Sequence, residues 1–213
     1  MDGLLLDSER PTRAAWLAAA AAFDVALSED EYLSVVGLNH AASAARMLGW
    51  FEGDAARLEA AGQHASASLS SGPPFEPKPG VRRLLKILAD ARIPCAVASS
   101  THRAEVERRL ERAGLLGHFA ALCGGDEVVH GKPAPDLYLL ALQRLGATAS
   151  TSIAFEDSGH GVQAALAAGL ATVAVPDLKA PSPEWLARCF AVFTSLDAAC
   201  ERCPEWFGVL RAT

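Results

Sequence analysis

The sequence predicts an α/β protein built on a parallel sheet, with a separate helical unit near its N-terminal end. Two observations carry this. From Cys95 onward short apolar runs alternate with stretches of helical periodicity, the pattern of strand–helix–strand units whose strands lie parallel. Between Pro11 and Gly72 the chain is instead alanine-rich, with helical spacing of its apolar residues and no convincing strand.

The expected strands are Cys95 to Ala98, Phe119 to Cys123, Ser152 to Phe155 and Ala171 to Val175, with a weaker one at Ala191 to Thr194. Helices are expected at Val81 to Ala89, Arg103 to Ala113, Pro135 to Leu145 and Gly161 to Ala168. The segment Gly72-Pro73-Pro74-Phe75-Glu76-Pro77-Lys78-Pro79-Gly80 is stiffened by its prolines and reads as a return linker out of the helical unit.

Bulk properties narrow the classes of function. At 213 residues the chain can hold one large domain, or a core plus a smaller unit. A net charge of -6 without any long Lys/Arg run argues against a nucleic-acid binder. No apolar run approaches the roughly 18 residues of a membrane span, and the first residues do not read as a secretory signal, so a cytoplasmic protein is expected. Five scattered cysteines fit reduced thiols; Cys200 and Cys203 form a lone CxxC that reads as buried small side chains.

Four segments could carry chemistry. Asp2-Gly3 sets a carboxylate beside a residue that permits a sharp turn and close approach to a ligand. Ser99-Ser100-Thr101 follows an apolar strand and precedes a helix, where hydroxyls and helix N-terminal N–H groups can meet a phosphate; taken alone it is equally a helix cap. Lys132, within Gly131-Lys132-Pro133-Ala134-Pro135-Asp136, is a point charge on a stiff loop, suited to a phosphoryl group and a neighbouring carboxylate, or simply a solvated lysine. Glu156 and Asp157, in Phe155-Glu156-Asp157-Ser158-Gly159-His160-Gly161, place two carboxylates at the end of a buried strand, which calls for a cation; Mg²⁺ suits oxygen ligands with a charged substrate.

In this order the four segments, DGLLLDSE, VASS, GKPAPD and FEDSGHGVQAALAAG, resemble the haloacid dehalogenase-like superfamily, in its branch of small phosphatases and β-phosphoglucomutase-like enzymes. The resemblance implies a Rossmann-like, three-layer α/β/α core over residues 1–10 and 78–213, with a helical cap inserted over residues 11–77. It implies Asp2 as general acid/base and, through its backbone carbonyl, a ligand of Mg²⁺. Ser99 and Lys132 would bind the transferring phosphoryl group, with Ser100 beside them. Asp157 would hold the metal, with Glu156 as a second ligand or an outer partner.

In that family the attacking aspartate stands two positions before the Asp-Gly aspartate. Here Met1 fills the intervening position, so the nucleophile and the first core strand are expected to be encoded immediately upstream, an internal methionine standing as the start. A shortened protein or a noncatalytic phosphate-ester binder is the alternative.

The cap says less about substrate. Mutase members carry an arginine shortly after a cap glycine; after Gly37 this chain has Leu38-Asn39-His40, with Arg46 a helical segment later. A monomeric phosphatase of small phosphorylated metabolites, sugar phosphates above all, is therefore expected ahead of a sugar phosphomutase. Asn39 and His40 are candidate substrate contacts.

Overall fold

The computed structural model describes residues 1–36 and 40–207, with only the backbone described at His40 and Ala41. The first eight residues form a tight bridged turn, Asp2 against Leu6, beside which the return linker runs antiparallel at Pro77. Backbone bonds from Asp7 N–H to the Glu76 carbonyl and from Lys78 N–H to the Leu5 carbonyl, 2.9 Å each, tie the outgoing and returning chains together.

Between these two crossings lie α1 (Glu9–Ala22), α2 (Glu29–Leu33), α3 (His40–Trp50) and α4 (Ala55–Ser71). Ser28 and Glu31 cap α2 reciprocally, and the Asp54 side chain caps α4 by accepting from Arg57 N–H. These helices share a core of their own, in which Phe51, Ala19 and Ala61 are wholly buried and Trp16 and Leu58 pack at the margin. Small alanine faces let α1 and α4 lie close together beside the buried Phe51 ring.

Next come α5 (Val81–Asp90), β1 (Ala96–Ala98), α6 (Arg103–Arg112), β2 (Ala121–Cys123), α7 (Asp136–Leu145), β3 (Ile153–Glu156) and α8 (Gly159–Ala167). Then follow β4 (Ala171–Ala174), α9 (Pro183–Leu186), β5 (Ala191–Val192), α10 (Leu196–Cys200) and α11 (Cys203–Trp206). α5 buries Val81, Leu84, Leu85 and Leu88, the i, i+3, i+4, i+7 stripe of a helix laid on a core. Leu6, Leu110, Leu115, Val173 and Leu196 pack into the same cluster, so the first turn belongs to this layer. The alternation of strand and helix gives the parallel α/β, Rossmann-like architecture that the sequence pattern predicts.

All strand pairs are parallel, but they form two sheets rather than one: β1 with β2, and β3–β4–β5. β1 and β3 therefore each carry a paired strand on one side only. Between them lies an apolar cleft of about 470 Å³ walled by Val97, Ala98, Ile153, Phe155, Leu85 and Met1. Among the described residues no helix is long and apolar enough to cross a membrane.

Candidate active site

The loops that follow β1 and β3, the segment before α7 and the first turn meet at one end of the strands, the carboxyl end, where open α/β sheets bind ligands. Ser99 leaves β1 almost fully buried, and its hydroxyl accepts from Thr101 N–H at 3.2 Å. Ser100 is exposed.

Lys132 reaches back from its loop to bridge both sheets. Its ammonium donates to the Ala98 carbonyl at 3.0 Å and to the Glu156 carboxylate, and it sits 4.9 Å from the centre of the Tyr138 ring. Tyr138 also donates to Glu156. Burial would raise the Glu156 pKa, but Lys132 beside it holds the carboxyl below the usual range. Glu156 thus anchors Lys132, as an outer partner of the site. Gly161 lies so close under Glu156 that any Cβ there would strike its carboxylate.

Asp157 points instead toward the first turn. Gly3, at φ +72, packs on it with no room for a side chain. A Cβ on Gly3 would collide with Asp157 Oδ2 and fall 3.6 Å from Asp177 Oδ2, so both carboxylate oxygens face one point beside the Asp2-Gly3 backbone. Burial, with Glu156 next to it, pushes the Asp157 carboxyl up to about 7. Asp177 bonds Lys78 and, at 3.4 Å, Arg10 through Oδ1, while its Oδ2 is buried with no partner.

The Asp2 carboxylate accepts from Thr101 Oγ1 at 2.9 Å and from Arg109 at 2.6 Å. Burial would raise its pKa; the opposing pull, Arg109 foremost, outweighs that and lowers it.

The structure thus brings Asp2, Ser99, Lys132, Glu156 and Asp157 to one end of the strands. Asn39 and the His40 side chain lie outside the described residues. Reading the sequence missed Asp177, Arg109, Thr101's bond to Asp2 and Tyr138. Asp177 had a signal: it follows the apolar run of β4, as Asp157 follows β3.

Two carboxylates facing a shared point, one with an orphaned buried oxygen and the other disfavoured as an anion by burial and by Glu156, fit a hard divalent cation. Among the described residues no cluster of three or more His, Cys, Asp or Glu side chains could hold a metal. Mg²⁺ suits such a site, since it keeps several waters and takes one or two carboxylates together with substrate oxygens.

A family model for haloacid dehalogenase-like hydrolases matches residues 1–169. The chain belongs to that family. Among the relatives of this hydrolase, a phosphorylated carbohydrates phosphatase of Thermotoga maritima is 32% identical over 171 residues, covering 80% of this chain and 79% of the relative. The plasmid-borne CbbY protein of Cupriavidus necator is 42% identical over 102 residues, but that stretch covers 46% of this chain and only 40% of the relative. The crystal structure of CbbY from Rhodobacter sphaeroides in complex with xylulose-1,5-bisphosphate superposes with a TM-score of 0.76 at 28% identity, covering 92% of each chain. The haloacid dehalogenase-like architecture puts this hydrolase among CbbY-like and β-phosphoglucomutase-like phosphatases.

Proposed function

We propose that the chain hydrolyses small phosphomonoesters, sugar phosphates foremost, with Mg²⁺ and through an aspartyl-phosphate. The observation that carries this is Lys132, a buried ammonium bridging the ends of β1 and β3 within reach of the Ser99 loop. A cation so placed neutralises a phosphoryl group and the carboxylate attacking it, the main requirement of phosphoryl transfer.

The attacking carboxylate comes, on this reading, from a strand seated in the cleft between β1 and β3 that ends beside Lys132. Such a strand would pair with both free edges and close the two sheets into one. It attacks phosphorus and the ester oxygen leaves, taking a proton from Asp2. Water then attacks the phosphorus of the aspartyl-phosphate, Asp2 accepts the water's proton, and inorganic phosphate departs as the carboxylate is regenerated. Ser99 donates its hydroxyl to a phosphoryl oxygen. Asp157, the Asp2 backbone carbonyl and Asp177 would hold Mg²⁺, which supplies positive charge against the phosphoryl oxygens.

The helices of residues 11–77 act as a cap over the core, and the protein works as a monomer because that cap closes the site by itself. Arg46 donates to the Ser34 carbonyl at 3.4 Å on the surface of the helical layer and does not line the cleft beside Asp157 and Asp177. This favours hydrolysis over mutase chemistry.

The test is phosphate release from a panel of sugar phosphates and other phosphomonoesters, with Mg²⁺ and with EDTA. The protein assayed carries a short apolar strand ending in aspartate immediately before Met1. Turnover that needs Mg²⁺ supports the reading. Binding without turnover in that protein would make it a noncatalytic phosphate-ester binder.

A further inference from the structure

On the phosphatase reading Lys132 clamps a phosphoryl group, and a clamp works only if its ammonium is held in one place. An ammonium carries three N–H donors. In Lys132 one goes to the Ala98 carbonyl and a second to Glu156 Oε1, which leaves one for a phosphoryl oxygen. The charge itself ends a flexible four-carbon stem, so its position is set by what surrounds it.

Tyr138 is the largest of those surroundings. Its ring centre lies 4.9 Å from Lys132 Nζ, and its hydroxyl donates to Glu156 Oε1, the same oxygen that accepts from Lys132. Tyr138 thus acts on the ammonium twice, directly by its ring face and through the carboxylate by its hydroxyl. Burial, with Glu156 beside it, pushes the Tyr138 pKa well above its usual value, so the hydroxyl stays a donor. The other neighbours of Glu156 hold it less firmly: Ser158 donates to Oε2 at 3.5 Å, and Gly161 offers no side chain. Without the hydroxyl, the carboxylate would be oriented chiefly by the lysine that it is meant to orient.

The local sequence builds this support. Lys132 and Tyr138 end one short run stiffened by Pro133 and Pro135, in which Tyr138 N–H donates to the Pro135 carbonyl at 2.9 Å and Leu137 is wholly buried. The buried ring packs on Ala154 of β3 and on Ala164 and Ala165 of α8, with Ala98 of β1 at the margin. It therefore spans the join between the two sheets, where Lys132 also reaches. A leucine could fill such an apolar seat, but it has neither a hydroxyl nor a π face.

We infer that Tyr138 is the positioning residue of Lys132, holding the ammonium for phosphoryl transfer without touching the substrate. Its consequence for turnover rests on the phosphatase reading; the placement of Lys132 does not.

Competitive acetylation of the folded protein, read by mass spectrometry, measures how readily the Lys132 ammonium leaves its seat. Lys78, paired with Asp177 elsewhere in the core, is the internal reference. Tyr138→Phe keeps the ring and removes the hydroxyl; it should raise labelling of Lys132 relative to Lys78 about tenfold, the weight of one hydrogen bond to a charged group. Tyr138→Leu should raise it about threefold further, for the lost ring face. Lysines that rise together, as a general loosening would make them, overturn the inference, and so does Lys132 labelling that stays at the parent level. In the strand-bearing protein Tyr138→Phe should lower kcat for a sugar phosphate about tenfold with KM nearly unchanged. In a Lys132→Ala background it should cost kcat nothing more, because it acts through that ammonium; an equal loss in both backgrounds overturns the inference. Absence of turnover in the strand-bearing parent removes the phosphatase reading alone, and the labelling then decides the placement of Lys132 by itself.

Discussion

Replacing Lys132 by Met should cost the fold far more than the loss of a surface charge, because it strands a carboxylate. The Lys132 side chain is 9% exposed and the Glu156 side chain 6%, so the pair is removed from water on both sides. Deleting one partner of such a pair leaves an uncompensated buried charge, worth about 3–5 kcal/mol. The double variant Lys132→Met/Glu156→Gln removes both charges, and its amide can still accept from Tyr138. It should recover about 2 kcal/mol or more of the single variant's loss, a non-additivity expected of contacting residues. Urea unfolding at pH 7 measures all three proteins. With a slope of ~1–3 kcal/mol per molar, the single substitution moves the midpoint by roughly 1–5 M.

The pH dependence gives a second handle on the same pair. In the parent protein Lys132 depresses the Glu156 pKa, so the pair's stability is present above the unfolded carboxyl value and is lost as pH falls through the lower folded value. Without Lys132, burial raises that pKa against weaker opposing pulls such as the Tyr138 hydrogen bond, so acidification should relieve part of the variant's defect. A single variant that loses less than about 1 kcal/mol, with the double variant merely additive, would refute this account of the buried pair.

Three further outcomes follow from the geometry. Asp157→Asn should raise the melting temperature in EDTA at pH 8, at about 2–4 °C per kcal/mol for a chain of this size, while abolishing Mg²⁺ binding. Because the folded Asp157 pKa is raised to about 7, the parent gains stability from this group as pH falls through that value, and the asparagine advantage shrinks toward acid pH; a destabilised Asp157→Asn at pH 8 in EDTA would contradict the crowding of carboxylates. Gly3→Ala, at φ +72 and against Asp157, should lose more than ~1 kcal/mol and weaken Mg²⁺ binding by calorimetry, whereas a neutral alanine would show that the turn relaxes freely. Phe51→Ala, in the wholly buried centre of the helical layer, should cost about 3–5 kcal/mol in urea unfolding; a loss below ~1 kcal/mol would mean that this layer lacks a packed core.

Much of the fold was legible because periodicity is local. The runs at Cys95, Ser152 and Ala171 became β1, β3 and β4 within a residue or two, and α6, α7 and α8 lie where the helical spacing places them. The run from Phe119 was read too early, since Phe119 N–H is taken by a turn bond to the Leu116 carbonyl before β2 begins. The short helices α2, α9, α10 and α11 span four or five residues each, too few for a periodic signal.

At the site, Ser99 and Asp157 were visible because each follows an apolar strand in a motif, and Lys132 because glycine and prolines stiffen its loop before a helix. Arg109 was not: within Arg103-Ala104-Glu105-Val106-Glu107-Arg108-Arg109 it reads as one more charge on a solvated helix, and only tertiary packing brings it to Asp2. Glu156 reads in sequence as a second metal ligand or as an outer partner of the site. In the structure its carboxylate is turned toward Lys132 and Tyr138, a preference set by a lysine 24 positions earlier that no local pattern reveals.

The central claim is that this end of the strands transfers phosphoryl groups with Lys132 as its charge clamp. Its most direct test is kcat/KM for Mg²⁺-dependent phosphate release in the protein bearing the aspartate-ended strand, compared with the same protein carrying Lys132→Ala. The account predicts measurable turnover in the first and a fall of roughly 10²–10³-fold in the second, with the fold of the variant verified by circular dichroism. Turnover that survives Lys132→Ala undiminished would contradict it.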